Sequence, residues 1–173
     1  MLSGVALQDR ISTFDVQSDA MEPTIKKGTK LAIERFHYSS NHLDRWHIVL
    51  ILLSHSETNL IPTKLVHELK DGRKQEMARP HFPYIKRVLG LPGETISFTD
   101  TGILVNNKSL PVPDDLAKCL AGFPGSKNFA FAAKPYSIPD DSVFVLSDNL
   151  KTGIDSRHIG AVPMRCLMGR VVF

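Results

Sequence analysis

Lys86 is the side chain in this sequence most suited to act as a base. It stands in Tyr84-Ile85-Lys86-Arg87-Val88-Leu89, a β-rich run that Gly90-Leu91-Pro92-Gly93 ends in a turn. On a strand Lys86 shares its face with Tyr84 and Val88, while Arg87 points the other way. A free lysine titrates near ~10.4; desolvation among apolar neighbours disfavours the ammonium and brings the amine toward ~7–8, where it can accept a proton. A hydroxyl nucleophile needs such a base, because it is weak at its own pKa.

Two further blocks flank this one. Upstream, Ser18-Asp19-Ala20-Met21-Glu22-Pro23-Thr24 precedes the first long β-type run. Downstream come Tyr136-Ser137-Ile138-Pro139, Val143-Phe144-Val145-Leu146-Ser147-Asp148-Asn149, Ile154-Asp155-Ser156-Arg157-His158-Ile159-Gly160 and Val162-Pro163. In this order the blocks resemble the type I signal peptidases, membrane-bound serine proteases that use a Ser/Lys dyad. That family's nucleophile loop reads Ser-x-Ser-Met-x-Pro-Thr, its base motif Lys-Arg-Val-x-Gly-x-Pro-Gly-Asp, and its third block Gly-Asp-Asn-x-x-x-Ser-x-Asp-Ser-Arg-x-x-Gly-x-Val-Pro. The likeness covers most of the chain apart from two excursions.

By that resemblance Lys86 is the general base and Arg87 its structural neighbour. Ala20 stands at the nucleophile position, where the family has its attacking serine, so a methyl group replaces the reacting oxygen. The oxyanion hole is implied at the backbone N–H of Ala20 and the hydroxyl of Ser18. Met21, Pro23, Arg87 and Asp148 are implied as structural support. Asp155 and Arg157 are implied to pair and hold the loop under the site, a contact whose bidentate geometry suits fixing a backbone. Glu94 replaces an aspartate conservatively. Two other departures bear on Lys86: Ser147 stands where the family has glycine, and Gly153 where many members place a serine that hydrogen-bonds the lysine. What orients Lys86 is thereby left open.

The activity implied is cleavage of N-terminal leader peptides from exported proteins, after a small residue with another small residue two positions before it. In the active form the serine attacks the carbonyl, Lys86 takes its proton and returns it to the leaving amine, and water clears the acyl-enzyme. The implied partners are leader peptides and a membrane lipid surface, and the implied address is the extracytoplasmic side of a bacterial inner membrane. Family members usually span the membrane just before the nucleophile loop, so an anchored full-length protein is expected. Ala20 has two explanations. The intact Lys86 block favours an engineered substitution, since a base with nothing to deprotonate is an odd thing to retain; a natural pseudoprotease that binds leader peptides without cutting them is the alternative. A self-cleaving repressor-type Ser/Lys domain is a further reading, opposed by the lack of a helix-turn-helix pattern before the loop and by the peptidase-type Gly-Leu-Pro-Gly turn.

Composition agrees with one globular domain. The 173 residues are 42% hydrophobic and 23% charged, and the net charge of +3 is spread without a dense basic block, so no nucleic-acid partner is called for. Cys119 and Cys166 form no CxxC, which excludes the common zinc patterns and leaves a disulfide open; no metal or other cofactor is expected. The longest apolar run, Ile48 to Leu53, falls far short of the ~20 residues a membrane-spanning helix needs, and residues 1 to 17 do not read as a signal peptide. Ser147-Asp148-Asn149 and Lys151-Thr152-Gly153 spell elements of penicillin-recognising enzymes, but no Ser-x-x-Lys accompanies them. His67-Glu68 lacks the second histidine of a zincin, and His37, His42 and His47 recur at a spacing that fits neither one helix face nor one strand face.

The elements that must position these groups read as mainly β. Strands are predicted at Lys30 to Arg35, Ile48 to Leu53, Tyr84 to Leu89, Thr95 to Phe98, Ile103 to Val105, Ser142 to Leu146 and Leu167 to Phe173. Ile48 to Leu53, apolar on both faces, is predicted central. Asn106-Asn107 suggests a hairpin turn, because Asn tolerates positive φ. A short helix is read at Lys64 to Leu69 and another around Asp115 to Leu120, within excursions at about 54–80 and 111–139. The expected fold is one signal-peptidase-like antiparallel β-sheet catalytic domain over residues 1–173, with small insertions and little helix.

Overall fold

A computed structural model describes residues 11–35, 43–54, 64–68, 74–78, 81–99, 102–120 and 134–173. Among them the strands are β1 (Ile11–Asp15), β2 (Lys30–Glu34), β3 (Ile48–Ser54), β4 (Lys64–Glu68), β5 (Lys74–Ala78), β6 (His81–Gly90), β7 (Thr95–Thr99), β8 (Gly102–Val105), β9 (Lys108–Ser109), β10 (Tyr136–Ser137), β11 (Ser142–Leu146), β12 (Val162–Pro163) and β13 (Leu167–Val172). Two short helices, α1 (Asp114–Leu120) and α2 (Ser156–Ile159), complete the described elements together with one 3₁₀ turn at Met164–Cys166. The fold is mostly antiparallel β, as expected.

Seven strands form the main sheet in the order β1-β2-β13-β3-β6-β11-β12. A four-stranded sheet, β10-β7-β8-β9, carries the β-hairpin predicted at Asn106-Asn107, where both asparagines take positive φ, 50° and 63°. β3 lies between β13 and β6, the central place its two apolar faces require. One face of that region packs Val49, Ile51, Leu53, Val88, Val143 and Val145; the other packs Ile48, Ile85, Leu31, Ile33 and Val171 with Val16, Met21 and Ile25 of the first loop. A third cluster, with Leu89, Ile96, Phe98, Ile138 and Phe144, joins β6 and β11 to the smaller sheet. The period of two along β3 and β6 thus supplies residues to different cores from one strand.

The helix read at Lys64 to Leu69 is a strand instead. β4 pairs antiparallel with β5, Lys64 opposite Ala78 and Glu68 opposite Lys74, forming a two-stranded sheet within the first excursion. Five residues with a β-branched valine at their centre gain a full ladder by pairing, whereas a helix that short is marginal by itself. α1 bears out the helix read around Asp115 to Leu120. Cys119 and Cys166 are both free thiols. No helix among the described residues is long and apolar enough to cross a membrane. His37, His42 and residues 1 to 10 lie outside the described residues.

Gly169 lets β13 approach β2 closely. A Cβ there would run into the Glu34 carbonyl oxygen and come within 2.8 Å of Ile33 Cγ2. A Cβ at Gly90 would meet the flexible ends of Ile138 and Ile96 instead. Backbone cannot yield as a side-chain terminus can, so Gly169→Ala is expected to cost about 3 kcal/mol and Gly90→Ala about half as much. Urea unfolding of both variants, read as midpoint shifts at constant slope, checks the order.

Candidate active site

β6 carries Lys86 into the protein interior. Its ladder with β3 sets Lys86 opposite Val49, and Tyr84 and Val88 flank it on the same face. The side chain is 4% exposed, its Nζ donates to the Ile85 carbonyl oxygen at 3.1 Å, and it lies 5.5 Å from the centre of the Tyr84 ring. Burial is the largest influence on this amine and lowers its pKa from 10.5 to about 8. Three charges modify that effect: Asp155 raises the pKa, Arg157 lowers it, and Asp148 raises it again.

Arg87, one residue on, points to the opposite face. Its Nε and Nη2 donate to the two carboxylate oxygens of Asp148 at 2.8 and 2.7 Å, and its Nη1 donates to the Trp46 carbonyl at 2.9 Å. Asp148 is thereby held by a two-point contact that also ties β6 to the chain leaving β11. Glu94 serves the turn after β6: it accepts from both terminal nitrogens of Arg45 and from the Leu91 backbone N–H at 2.7 Å.

The loop after β11 is organised by Asp155. This carboxylate is fully buried and accepts from the Ser147 backbone N–H at 2.8 Å and from the Arg157 backbone N–H at 3.1 Å. Arg157, itself 2% exposed, donates through Nε and Nη2 to the same carboxylate at 2.7 and 2.8 Å, and also donates to the carbonyls of Leu150 and Gly153. Asp155 also caps α2, where the His158 ring accepts from the Asp155 N–H to complete a capping box. The hydroxyl of Ser156 accepts from the Val145 N–H.

The first loop docks on this assembly. The Asn149 N–H donates to the Ala20 carbonyl at 2.9 Å, the Asn149 side chain to the Asp19 carbonyl at 3.3 Å, and the Thr152 hydroxyl to the Asp19 carboxylate at 3.3 Å. Met21 is 1% exposed and anchors the loop in the core beside Ile85 and Ile48. Ala20 is 8% exposed, Ser18 and Pro23 are exposed, and the Glu22–Pro23 peptide bond is cis. Ala20 and Lys86 therefore border a common element, the loop from Ser147 to Arg157, which bonds to the first loop and carries the charges that act on the lysine. Sequence reasoning did not single out Asn149 and Thr152 as the groups that fasten the first loop; side-chain amides and hydroxyls in a turn give no signal of a contact 130 residues away. The Cys119 thiol interacts with Thr24 and is pushed up in pKa by burial, so that it stays protonated near neutral pH.

Comparison with known proteins places the chain in a family. The model of the family described as signal peptidase, peptidase S26, matches residues 2–173. A signal peptidase I of Leptolyngbya laminosa is 29% identical over 157 residues, covering 91% of this chain and 64% of the relative. Signal peptidase I V of Bacillus subtilis is 27% identical over 160 residues, covering 90% of this chain and 80% of the relative. The chain thus spans only part of the relatives it matches. A solved signal peptidase I from Enterococcus faecalis aligns at 23% identity with a TM-score of 0.48, covering 75% of this chain and 97% of that one. With the family model matched over nearly its whole length, this chain belongs to the signal peptidase family, peptidase S26.

Proposed function

We propose that this chain is the catalytic domain of a signal peptidase I whose Ser/Lys dyad lacks its serine oxygen: Lys86 is the general base and Ala20 occupies the nucleophile position. The observation that supports this most directly is the state of Lys86. An amine 4% exposed, brought down to about 8 by burial, suits proton abstraction from a hydroxyl and does not suit a surface ion pair. The substrates of this reading are leader peptides of exported preproteins, cut after a small-x-small pattern. The oxyanion donors are the Ala20 N–H and the Ser18 hydroxyl, with Met21, Pro23, Arg87, Asp148, Asp155 and Arg157 as support. Anchoring at a bacterial inner membrane, with this domain on the extracytoplasmic side, belongs to the same reading.

Each step has a residue to perform it. A serine at position 20 would attack the scissile carbonyl while the Lys86 amine takes its proton, and the oxyanion formed would accept hydrogen bonds from the donors above. Lys86, now protonated, returns the proton to the leaving amine, and a second attack by water releases the acyl group. With alanine at 20 the first bond cannot form, while the backbone N–H of that residue is retained. The expected behaviour of the chain as written is therefore binding without turnover.

Restoring the oxygen tests the assignment. Ala20→Ser is expected to cleave a small-x-small leader peptide, measured by mass spectrometry of the products, and a further Lys86→Ala change is expected to lower that rate by at least about a thousandfold, the scale seen when a member of a nucleophile–base pair is removed. A restored protein that binds the peptide and never cuts it would favour a natural pseudoprotease.

The pH dependence follows from the lysine. Lys86 works as the neutral amine, so kcat/KM of Ala20→Ser should rise with pH through an apparent pKa near 8, falling about tenfold per pH unit below it. A profile centred on an ordinary lysine value would mean that the amine is solvated in the working enzyme.

A further inference from the structure

The peptide unit between Asp19 and Ala20 is held at its oxygen and unpaired at its nitrogen. The Asp19 carbonyl accepts two hydrogen bonds, from the Glu22 N–H at 3.0 Å and from the Asn149 side-chain amide at 3.3 Å. The Ala20 carbonyl accepts from the Asn149 backbone N–H at 2.9 Å. Among the described residues no group accepts from the Ala20 N–H, although Ala20 is only 8% exposed. A backbone N–H left without a partner in a buried residue is rare in folded proteins and calls for a reason.

Peptide planarity links the two ends of this unit. In a trans peptide the C=O and the N–H lie in one plane and point in opposite directions. Whatever turns the Asp19 oxygen therefore turns the Ala20 hydrogen with it. A single donor leaves the plane able to pivot about that hydrogen bond, and a second donor from another direction stops the pivot. The Glu22 N–H closes a local turn and moves with the loop. Asn149 comes from 130 residues away and belongs to a different element.

Asn149 is suited to hold a plane because its own amide is oriented. Its Oδ1 accepts from the Lys151 N–H at 3.3 Å, which leaves Nδ2 to face Asp19. Its carbonyl accepts from the Gly153 N–H at 3.0 Å, and the residue before it, Asp148, is gripped by two nitrogens of Arg87. Thr152 reaches the same loop, but its partner is the Asp19 carboxylate, a side chain whose rotation does not set the peptide plane.

We propose that Asn149 is the positioning residue for the oxyanion donor: by holding the carbonyls of residues 19 and 20 from two atoms, it aims the Ala20 N–H away from the loop after β11, at the place a scissile carbonyl oxygen would take. This rests on the Ser/Lys reading for its catalytic meaning, whereas the hold on the peptide plane can be tested in the chain with Ala20.

Asn149→Ala removes the side-chain donor and keeps the backbone N–H. With Asp19 labelled at its carbonyl carbon, the 13C resonance of that carbon is expected to move upfield in Asn149→Ala, the direction of a lost hydrogen bond. A small-x-small leader peptide at saturation is expected to shift the Ala20 amide proton downfield in the parent chain and to leave it nearly unmoved in the variant. Asn149→Asp, equal in shape and without the donor, takes its place in both measurements if the alanine variant unfolds.

On the Ala20→Ser background, Asn149→Ala is expected to lower kcat by about 10- to 100-fold, less than the loss of a whole oxyanion donor, with KM within about twofold, because the contact matters only once the oxyanion forms. The rates are compared on the plateau above the Lys86 titration, so that protonation of the base plays no part. Thr152→Val loosens the same loop at the Asp19 carboxylate and is expected to lower kcat by less than about threefold, the scale of one exposed hydrogen bond. Two results overturn the proposal: an Asp19 carbonyl resonance that does not move in Asn149→Ala, or equal losses of kcat in Asn149→Ala and Thr152→Val, which would make Asn149 a fastener of the loop and nothing more. An inert Ala20→Ser protein would count against the protease reading alone, because the Asp19 carbonyl still reports on Asn149.

Discussion

A buried carboxylate next to a buried lysine is the constraint on which this structure turns. Asp155 is fully buried and acts on Lys86 by raising its pKa, against the effect of burial. An unpaired Asp155 would favour the protonated amine more strongly. Arg157 takes the carboxylate through two nitrogens, and its own charge acts on Lys86 in the opposite direction. The two charges of the pair therefore oppose one another at Lys86. Buried ion pairs add little net stability because both partners give up hydration, so the gain here lies in fixed geometry. The same carboxylate receives the Ser147 and Arg157 N–H groups, and Arg157 reaches the carbonyls of Leu150 and Gly153. Charge compensation and loop shape are one set of contacts.

β6 solves a related problem by its period of two. Lys86 and Arg87 are adjacent cations with opposite requirements. Lys86 faces Val49, Tyr84 and Val88, where the charged form is disfavoured; Arg87 faces Asp148 and the Trp46 carbonyl, where its charge is matched. An arginine cannot be deprotonated in a protein and a lysine can, so the two residues could not exchange places. Because β6 pairs with β3 on one side and β11 on the other, neither backbone edge of the strand is open to bulk water along this stretch. The central position of the strand thus bears on the surroundings of both cations as well as on the fold.

What the sequence revealed follows from where the signals are local. The apolar setting of Lys86, the central β3 and the Asn106-Asn107 turn are each written in consecutive residues, and each appears in the structure. β1 was not read because Ile11–Asp15 lies at the sheet edge with its residues at most half-buried, so it lacks a clear apolar alternation. β4 was misread because Lys64 to Glu68 acquires its strand character from pairing with β5. α2 escaped notice because its four residues are set by the Asp155 cap, completed by a histidine where glutamate or glutamine is usual. Ser147 and Gly153 looked like two separate departures in the sequence. Only the packing makes them one exchange, since a side chain at either position excludes the other.

The first loop gives the same lesson about Ala20. Its hydrogen bonds run through the backbone: Glu22 N–H to the Asp19 carbonyl, Ile25 N–H to the Met21 carbonyl, and Asn149 N–H to the Ala20 carbonyl. Met21 supplies the apolar anchor. None of these contacts uses a side-chain atom of residue 20, so the loop reaches its conformation without the hydroxyl that the family places there. A buried lysine beside the Asp155–Arg157 pair on one side and a backbone-fastened loop on the other thus meet at one element, the loop from Ser147 to Arg157.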